Sequence, residues 1–214
     1  MRFSKFWLSL VMFVVALGAQ AQAPSFQEGS DYVVLERPQP TEAPRGGVDV
    51  VEFFSYHCPH CAALEPKIGP WASSLPKDVY FHRSPVVFQQ GWVQGARLFL
   101  ALQATRQLDK FHAAVFKAVH EQHLPILTDS KALSDWMVAN GGDATNLNVA
   151  MHSFSSENQV TRAQALAAAY EISGVPTLAV AGRYVPAPGF HGDALALTNF
   201  LIAKARAEQK QRAK

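Results

Sequence analysis

Cysteine is scarce in this chain: two residues among 214, at positions 58 and 61. A small disulfide-stapled scaffold needs several pairs, so the fold must rest on a hydrophobic core instead. A surplus of one charge is also missing once the N-terminal segment is set aside. Arg2 and Lys5 are two of the 19 Lys and Arg residues, and no acid precedes position 22. The rest of the chain carries 17 basic against 17 acidic side chains. That balance gives no reason to expect nucleic acid or an anionic membrane surface as a partner. There is no internal repeat and no low-complexity tract, and a hydrophobic content of 49% excludes disorder.

Long apolar runs are missing too. A spanning helix needs about 20 such residues. The longest stretch, Phe6 to Leu17, is shorter and follows the basic Arg2 and Lys5. This is the pattern of a signal peptide, residues 1–21. Ala19-Gln20-Ala21 fits the small-x-small cleavage rule. Ala21-Gln22-Ala23 fits as well but leaves Pro24 just after the cut, and an uncleaved anchor is the remaining alternative. Export to a periplasmic or extracellular setting is therefore expected, where disulfides form and persist.

The mature length of about 190 residues suits one domain, or one domain with an insertion. Tyr32-Val33-Val34-Leu35 reads as a short strand. Arg37 to Gly47, with three prolines and a Gly-Gly, reads as a loop. Val48 to Phe54 is nearly continuous apolar, as in a central strand covered on both faces. Ser55-Tyr56-His57 turns the chain into a helix starting at Cys58 or Pro59, with Pro66 as a kink. Val79-Tyr80-Phe81 is the next strand. From about Trp92 to Phe154 the apolar period is helical, as at Phe111, Val115 and Val119, and Glu157 to Ile172 adds a further helix. Thr177 to Val180 and Arg183 to Val185 form a hairpin around Ala181-Gly182. A last helix starts after Asp193, and its basic end, Lys204 to Lys214, is expected to fray.

Against this background Cys58-Pro59-His60-Cys61 reads as a redox-active dithiol. The nucleophile in disulfide exchange is a thiolate. At a helix N-terminus Cys58 meets unpaired backbone N–H groups and the positive end of the dipole, and His60 can add to both. Cys61, three residues on, shares its helical face and can attack a mixed disulfide formed on Cys58. An inert staple is a poor alternative. Closing so short a loop contributes about 2 kcal/mol, against about 4.7 kcal/mol for 100 residues. Zinc would need four ligands, and a second cysteine pair is absent. His120-x-x-His123 reads better as a solvated helix face than as a ligand pair. No nucleotide, flavin or metal motif is evident.

The run Phe53-Phe54-Ser55-Tyr56-His57-Cys58-Pro59-His60-Cys61, with Ile172-Ser173-Gly174-Val175-Pro176-Thr177 downstream, resembles the DsbA family of bacterial thiol:disulfide oxidoreductases. The separation of 115 residues between Cys61 and Pro176 fits a thioredoxin fold interrupted by a helical domain. The resemblance implies an α/β fold: a thioredoxin-like domain over 22–90 and 155–214, with an inserted all-helical domain over 91–154. It implies a redox-active Cys58-Cys61 disulfide with no external cofactor or metal, and a cis Pro176. The backbone of Val175 would then receive an extended peptide by β-addition. It places an acid, Glu52, beneath the site, where burial would raise its pKa and let it exchange a proton with Cys61. A solvated or lysine-paired glutamate is the alternative. The implied partners are exported, unfolded client proteins with free cysteines and a quinone-linked, DsbB-like inner-membrane protein that reoxidises the pair. The chain is expected to act as a monomer.

The same resemblance favours oxidant over reductant. In reference members the nucleophilic thiol lies at about 3.5 for DsbA and about 7 for thioredoxin, with potentials of about −120 and −270 mV. These are properties of those proteins, not inferences from this sequence. The pKa gap is worth roughly 4 kcal/mol at pH 7 and the potential gap roughly 7 kcal/mol, so thiolate stabilisation covers somewhat over half. Pro59 and His60 are the residues expected to carry it. An isomerase, a reductant and a non-catalytic peptide-binding module are the competing readings.

Overall fold

The computed structural model describes residues 25–212. The signal segment and its cleavage site lie outside them. Five strands form one sheet: β1 (Tyr32–Val34), β2 (Val48–Phe54), β3 (Val79–Pro85), β4 (Thr177–Val180) and β5 (Tyr184–Pro186), in the order β1-β5-β4-β2-β3. β2 lies between β3 and β4, parallel to the first and antiparallel to the second, and all seven of its residues are buried. Burial on both faces is why it reads as a continuous apolar run.

Side chains alternate across a strand. Val48 and Val50 face one layer, with Ile68 of α1 (Pro59–Ser73) and Leu197, Leu201 and Ile202 of α7 (Ala194–Arg212). Val51 and Phe53 face the other, with Ala167 of α6 (Phe154–Ala169) and Tyr170. Between β3 and α6 run α2 (Val93–Ala104), α3 (Leu108–His120), α4 (Ser130–Ala139) and α5 (Ala144–Met151), preceded by a single 3-10 turn at Gln90–Trp92. Their core extends into the sheet's end: Leu98, Phe99, Phe111 and Phe116 pack with Phe54, Tyr56, Cys58 and Cys61. The active-site turn is therefore a shared wall between the sheet and the helices.

Local features refine the sequence expectations. α1 continues through Pro66 and Pro70 as one helix, although each proline removes a backbone donor. α6 starts at Phe154, three residues earlier than the apolar pattern suggests, because Ser153 Oγ accepts the Ser156 N–H as an N-cap. Ala181 and Gly182 both have positive φ, and a Cβ on Gly182 would collide with the Gln39 carbonyl, so glycine is required there. The basic end of the last helix is held rather than frayed as far as Arg212. Arg206 makes two hydrogen bonds to Asp78, at 2.6 and 2.7 Å, and Gln209 donates to the Gly47 carbonyl at 3.0 Å.

Candidate active site

β2 ends at Phe54, the chain turns through Ser55-Tyr56-His57, and α1 begins at Pro59 with Cys58 as its N-cap residue. Proline at this first position loses no helical hydrogen bond. Cys58 and Cys61 are both free thiols and both buried, whereas Pro59 and His60 between them are exposed. A hydrogen bond from the Cys61 thiol pulls the Cys58 pKa down from 9.0 to about 6. Burial opposes this, and the backbone N–H groups of Cys61 and His60 and the charge of His60 assist it. The Cys61 thiol is pushed far up, by that same hydrogen bond to Cys58 and by burial. The two sulfurs are thus sharply differentiated, one made acidic and one kept protonated.

Because β4 runs antiparallel to β2, its first residue, Thr177, pairs with Phe53 and brings the preceding loop over the thiols. The Val175–Pro176 peptide bond is cis. The Cys58 thiol donates to the Val175 carbonyl at 3.3 Å. A groove of about 490 Å³ opens along this loop, lined by Tyr170, Ile172, Val175, Pro176, Pro186 and Phe190 among others. A second, of about 480 Å³, lies beyond Pro59, between α1 and α3, lined by Ala62, Pro66 and Phe116.

Glu52 shares the face of Val48 and Val50, which places it under α1. The parallel register sets Arg83 of β3 directly beside it. Arg83 Nε donates to Glu52 Oε2 at 2.7 Å and its terminal nitrogen to Glu65 at 3.2 and 3.3 Å. Glu65 is four residues after Cys61 and so lies on the same helix face. The cluster continues to α3: His112 Nε2 is 3.3 Å from Glu65, and the Tyr56 hydroxyl hydrogen-bonds His112 Nδ1 at 2.8 Å. Burial raises the Glu52 pKa to about 7, although the Arg83 charge opposes it. The partner of Glu52 is therefore an arginine, and the carboxyl is not solvated.

The DSBA-like thioredoxin domain family matches residues 49–196. The thiol:disulfide interchange protein DsbA of Pseudomonas aeruginosa is 38% identical over 197 residues, covering 91% of this chain and 92% of that protein. That of Bordetella parapertussis is 37% identical over 190 residues, covering 87% and 90%. The chain belongs to the DsbA family. A crystal structure of Pseudomonas aeruginosa DsbA superposes with a TM-score of 0.80 at 37% identity, over 86% of this chain and 97% of that one. DsbA from Xylella fastidiosa gives 0.78 at 31% identity, over 86% and 99%. The chain is accordingly a thiol:disulfide oxidoreductase with a thioredoxin-like fold, and its redox group is its own cysteine pair.

Cys58, Pro59, His60, Cys61, Val175 and Pro176 converge in one place, with Glu52 beneath them. Sequence reasoning misses Tyr56, Glu65, Arg83 and His112. Glu65 is signalled by its spacing from Cys61; Arg83 depends on a strand register that no local pattern encodes. His120 needs correction. It is not on a solvated face: its Nε2 hydrogen-bonds the Tyr56 carbonyl at 2.8 Å, and its ring stacks on Phe116. His123 lies past the end of α3, exposed and at positive φ. His57 escapes sequence reasoning as well. Its ring lies parallel to that of Trp92, with centroids 5.8 Å apart.

Proposed function

We propose that the chain oxidises client proteins in the periplasm, after removal of residues 1–21, by donating a Cys58-Cys61 disulfide. The observation that carries this reading is the asymmetry of the pair: an acidic thiol at a helix N-cap, flanked by the Val175-Pro176 loop, over a buried thiol held protonated. A client thiolate attacks Cys58 Sγ, the S–S bond breaks, and Cys61 leaves with the electron pair and takes up a proton. A second client thiolate then attacks the client sulfur of the mixed disulfide, forming the client's disulfide and releasing Cys58 as a thiolate. Exported proteins with free cysteines are the clients, and their extended backbone pairs with Val175. A quinone-linked, DsbB-like membrane protein accepts the electrons from the reduced pair. Residues 91–154 serve as an inserted helical domain that completes the apolar surface around the site.

Glu52 is the proton donor and acceptor for Cys61. With a pKa of about 7 it is partly protonated at neutral pH, the condition under which a buried carboxyl can work in both directions. Cys61 release is expected to show a pH step near 7 that disappears in Glu52→Gln. Stopped-flow kinetics from pH 5 to 9 would read it, and an unchanged profile removes the role.

The function is tested by the redox equilibrium of residues 22–214 with glutathione at pH 7. A thiol at about 6 favours the dithiol by roughly 1 kcal/mol at pH 7 once solvent screening is allowed for, or about 20 mV. Proline at position 60 would delete both the imidazole and a backbone N–H that faces Cys58. His60→Pro is therefore expected to lower the potential, by no more than about those 20 mV. A wild-type potential near the oxidising end of the scale supports the oxidase. One near about −270 mV, the thioredoxin value, would favour a reductant.

A further inference from the structure

His57 has no part in the exchange steps, yet it precedes the nucleophile and is half-buried with its polar atoms turned inward. Both ring nitrogens are buried, and neither has a hydrogen-bond partner. The ring lies parallel to that of Trp92, displaced from it, with an angle of 4° between the planes and centroids 5.8 Å apart. Its edge meets Gly95 in the first turn of α2. A Cβ at that position would sit 2.9 Å from His57 Cε1 and 3.0 Å from Nδ1, closer than real side chains approach. Glycine within a helix is unfavourable, so here the absence of a side chain is what admits the imidazole.

The backbone around His57 is the active-site turn itself. Its N–H donates to Ser55 Oγ at 3.2 Å, and the next N–H, that of Cys58, donates to the Ser55 carbonyl at 3.0 Å. His120 of α3 holds the preceding carbonyl, that of Tyr56. The turn is thus gripped by α3 through a hydrogen bond and by α2 through an apolar wedge. We propose that His57 is a positioning residue for Cys58: its uncharged ring, wedged between Trp92 and Gly95, clamps the turn onto α2, and charging the ring opens the clamp.

The surroundings offer a charged ring nothing. Neither Trp92 nor Gly95 titrates. Arg97, the charged side chain of α2, is paired with Glu157 of α6 at 3.3 Å. His120, the titratable group facing it from α3, adds repulsion to the effect of burial, and together they hold the His57 pKa below its ordinary 6.5. Cys58 beside it carries no proton acceptor once it is in a disulfide. The face of Trp92 attracts a cation, but weakly against the cost of burying an ion whose two N–H groups meet no acceptor. Protonation is therefore relieved by movement of the ring into solvent, which leaves the turn held from α3 alone.

The inference rests on the exchange chemistry at Cys58, but its first readout does not. Nuclear magnetic resonance on the oxidised chain would follow the His57 ring protons and the Trp92 indole N–H from pH 8 to 4. Both are expected to move with one midpoint below 6.5. Across that midpoint the oxidation rate of a short cysteine peptide, expressed per peptide thiolate, is expected to fall roughly three- to tenfold as the reacting sulfur loses its fixed position. His57→Phe, which keeps a flat ring but cannot be charged, should show an unmoving Trp92 signal and no rate step below 6.5, leaving only the step near 7 that belongs to Glu52. Gly95→Ala should favour the helix yet expel the imidazole, so at pH 7.5 it should show the acid-state Trp92 signal and the lower rate. An indole signal that ignores the His57 titration overturns the proposal, as does a rate step below 6.5 surviving in His57→Phe, or a wild-type signal and rate in Gly95→Ala. A coupled titration with no peptide oxidation at any pH would uphold the clamp and sink the oxidase reading instead.

Discussion

Replacing Cys61 by serine or alanine is expected to stop turnover and trap the protein on its clients. Cys58 alone can still attack a disulfide, so a mixed disulfide forms. What is lost is the disulfide the protein donates, together with the only thiol of its own that could free a client caught on Cys58. Groups held in reacting geometry act at effective molarities reaching about 10⁵ M, so an external thiol at millimolar concentration is a poor replacement. Net oxidation of clients is expected to fall by at least about 100-fold, and adducts formed from client disulfides, deprived of the escape through Cys61, should accumulate on non-reducing gels.

The two substitutions should also differ from each other. The largest influence lowering the Cys58 pKa is the hydrogen bond from the Cys61 thiol. A serine hydroxyl can donate in its place and an alanine cannot. Cys61→Ala is thus expected to move the Cys58 pKa from about 6 back toward 9.0, and Cys61→Ser to move it less. Thiolate absorbance against pH would separate them. Equal values for both variants would mean that the helix N-terminus, not the neighbouring thiol, sets the acidity. A Cys61→Ser protein that turned over at the wild-type rate would refute the two-cysteine mechanism.

The parts of this site that were legible in the sequence are those encoded locally. Val48 to Phe54 announces itself because a strand buried on both faces needs apolar residues throughout. Glu52 stands out within it for the same reason. Cys58-Pro59-His60-Cys61 carries its chemistry within four residues. The parts that were not legible depend on register and docking. Arg83 reaches Glu52 only because β3 runs parallel to β2 in one alignment. His57, His112 and His120 acquire their roles from where α2 and α3 pack on the active-site turn, and nothing in their own neighbourhoods distinguishes them from surface histidines. The last helix shows the reverse error. Its basic composition suggests an unsupported end, whereas Arg206 and Gln209 find partners more than 100 positions away, at Asp78 and Gly47.

Removing the charge of Arg83 should be the most costly change away from the cysteines. The Arg83→Met side chain would fill much of the same space but leave Glu52 and Glu65 facing each other with no cation between them. Those two carboxyl side chains are 2% and 10% exposed, so water cannot take over the role of the guanidinium. Breaking a buried ion pair by removing one partner typically costs about 3–5 kcal/mol. The cost should depend on pH in a defined direction. In the wild type Glu52 has its pKa raised from 4.5 to about 7, so the folded state binds a proton more tightly than the unfolded chain. Its contribution to stability is fully present below 4.5 and is lost as pH rises to about 7. Without Arg83, which opposes that rise, Glu52 stays protonated to higher pH and the loss of stability extends with it. Denaturant titrations should therefore show Arg83→Met close to wild type at pH 5 and well below it at pH 8. Adding Glu52→Gln, which removes the buried charge, should restore much of the difference. A penalty of equal size at both pH values, or no rescue by Glu52→Gln, would show that Arg83 contributes through packing rather than through its charge.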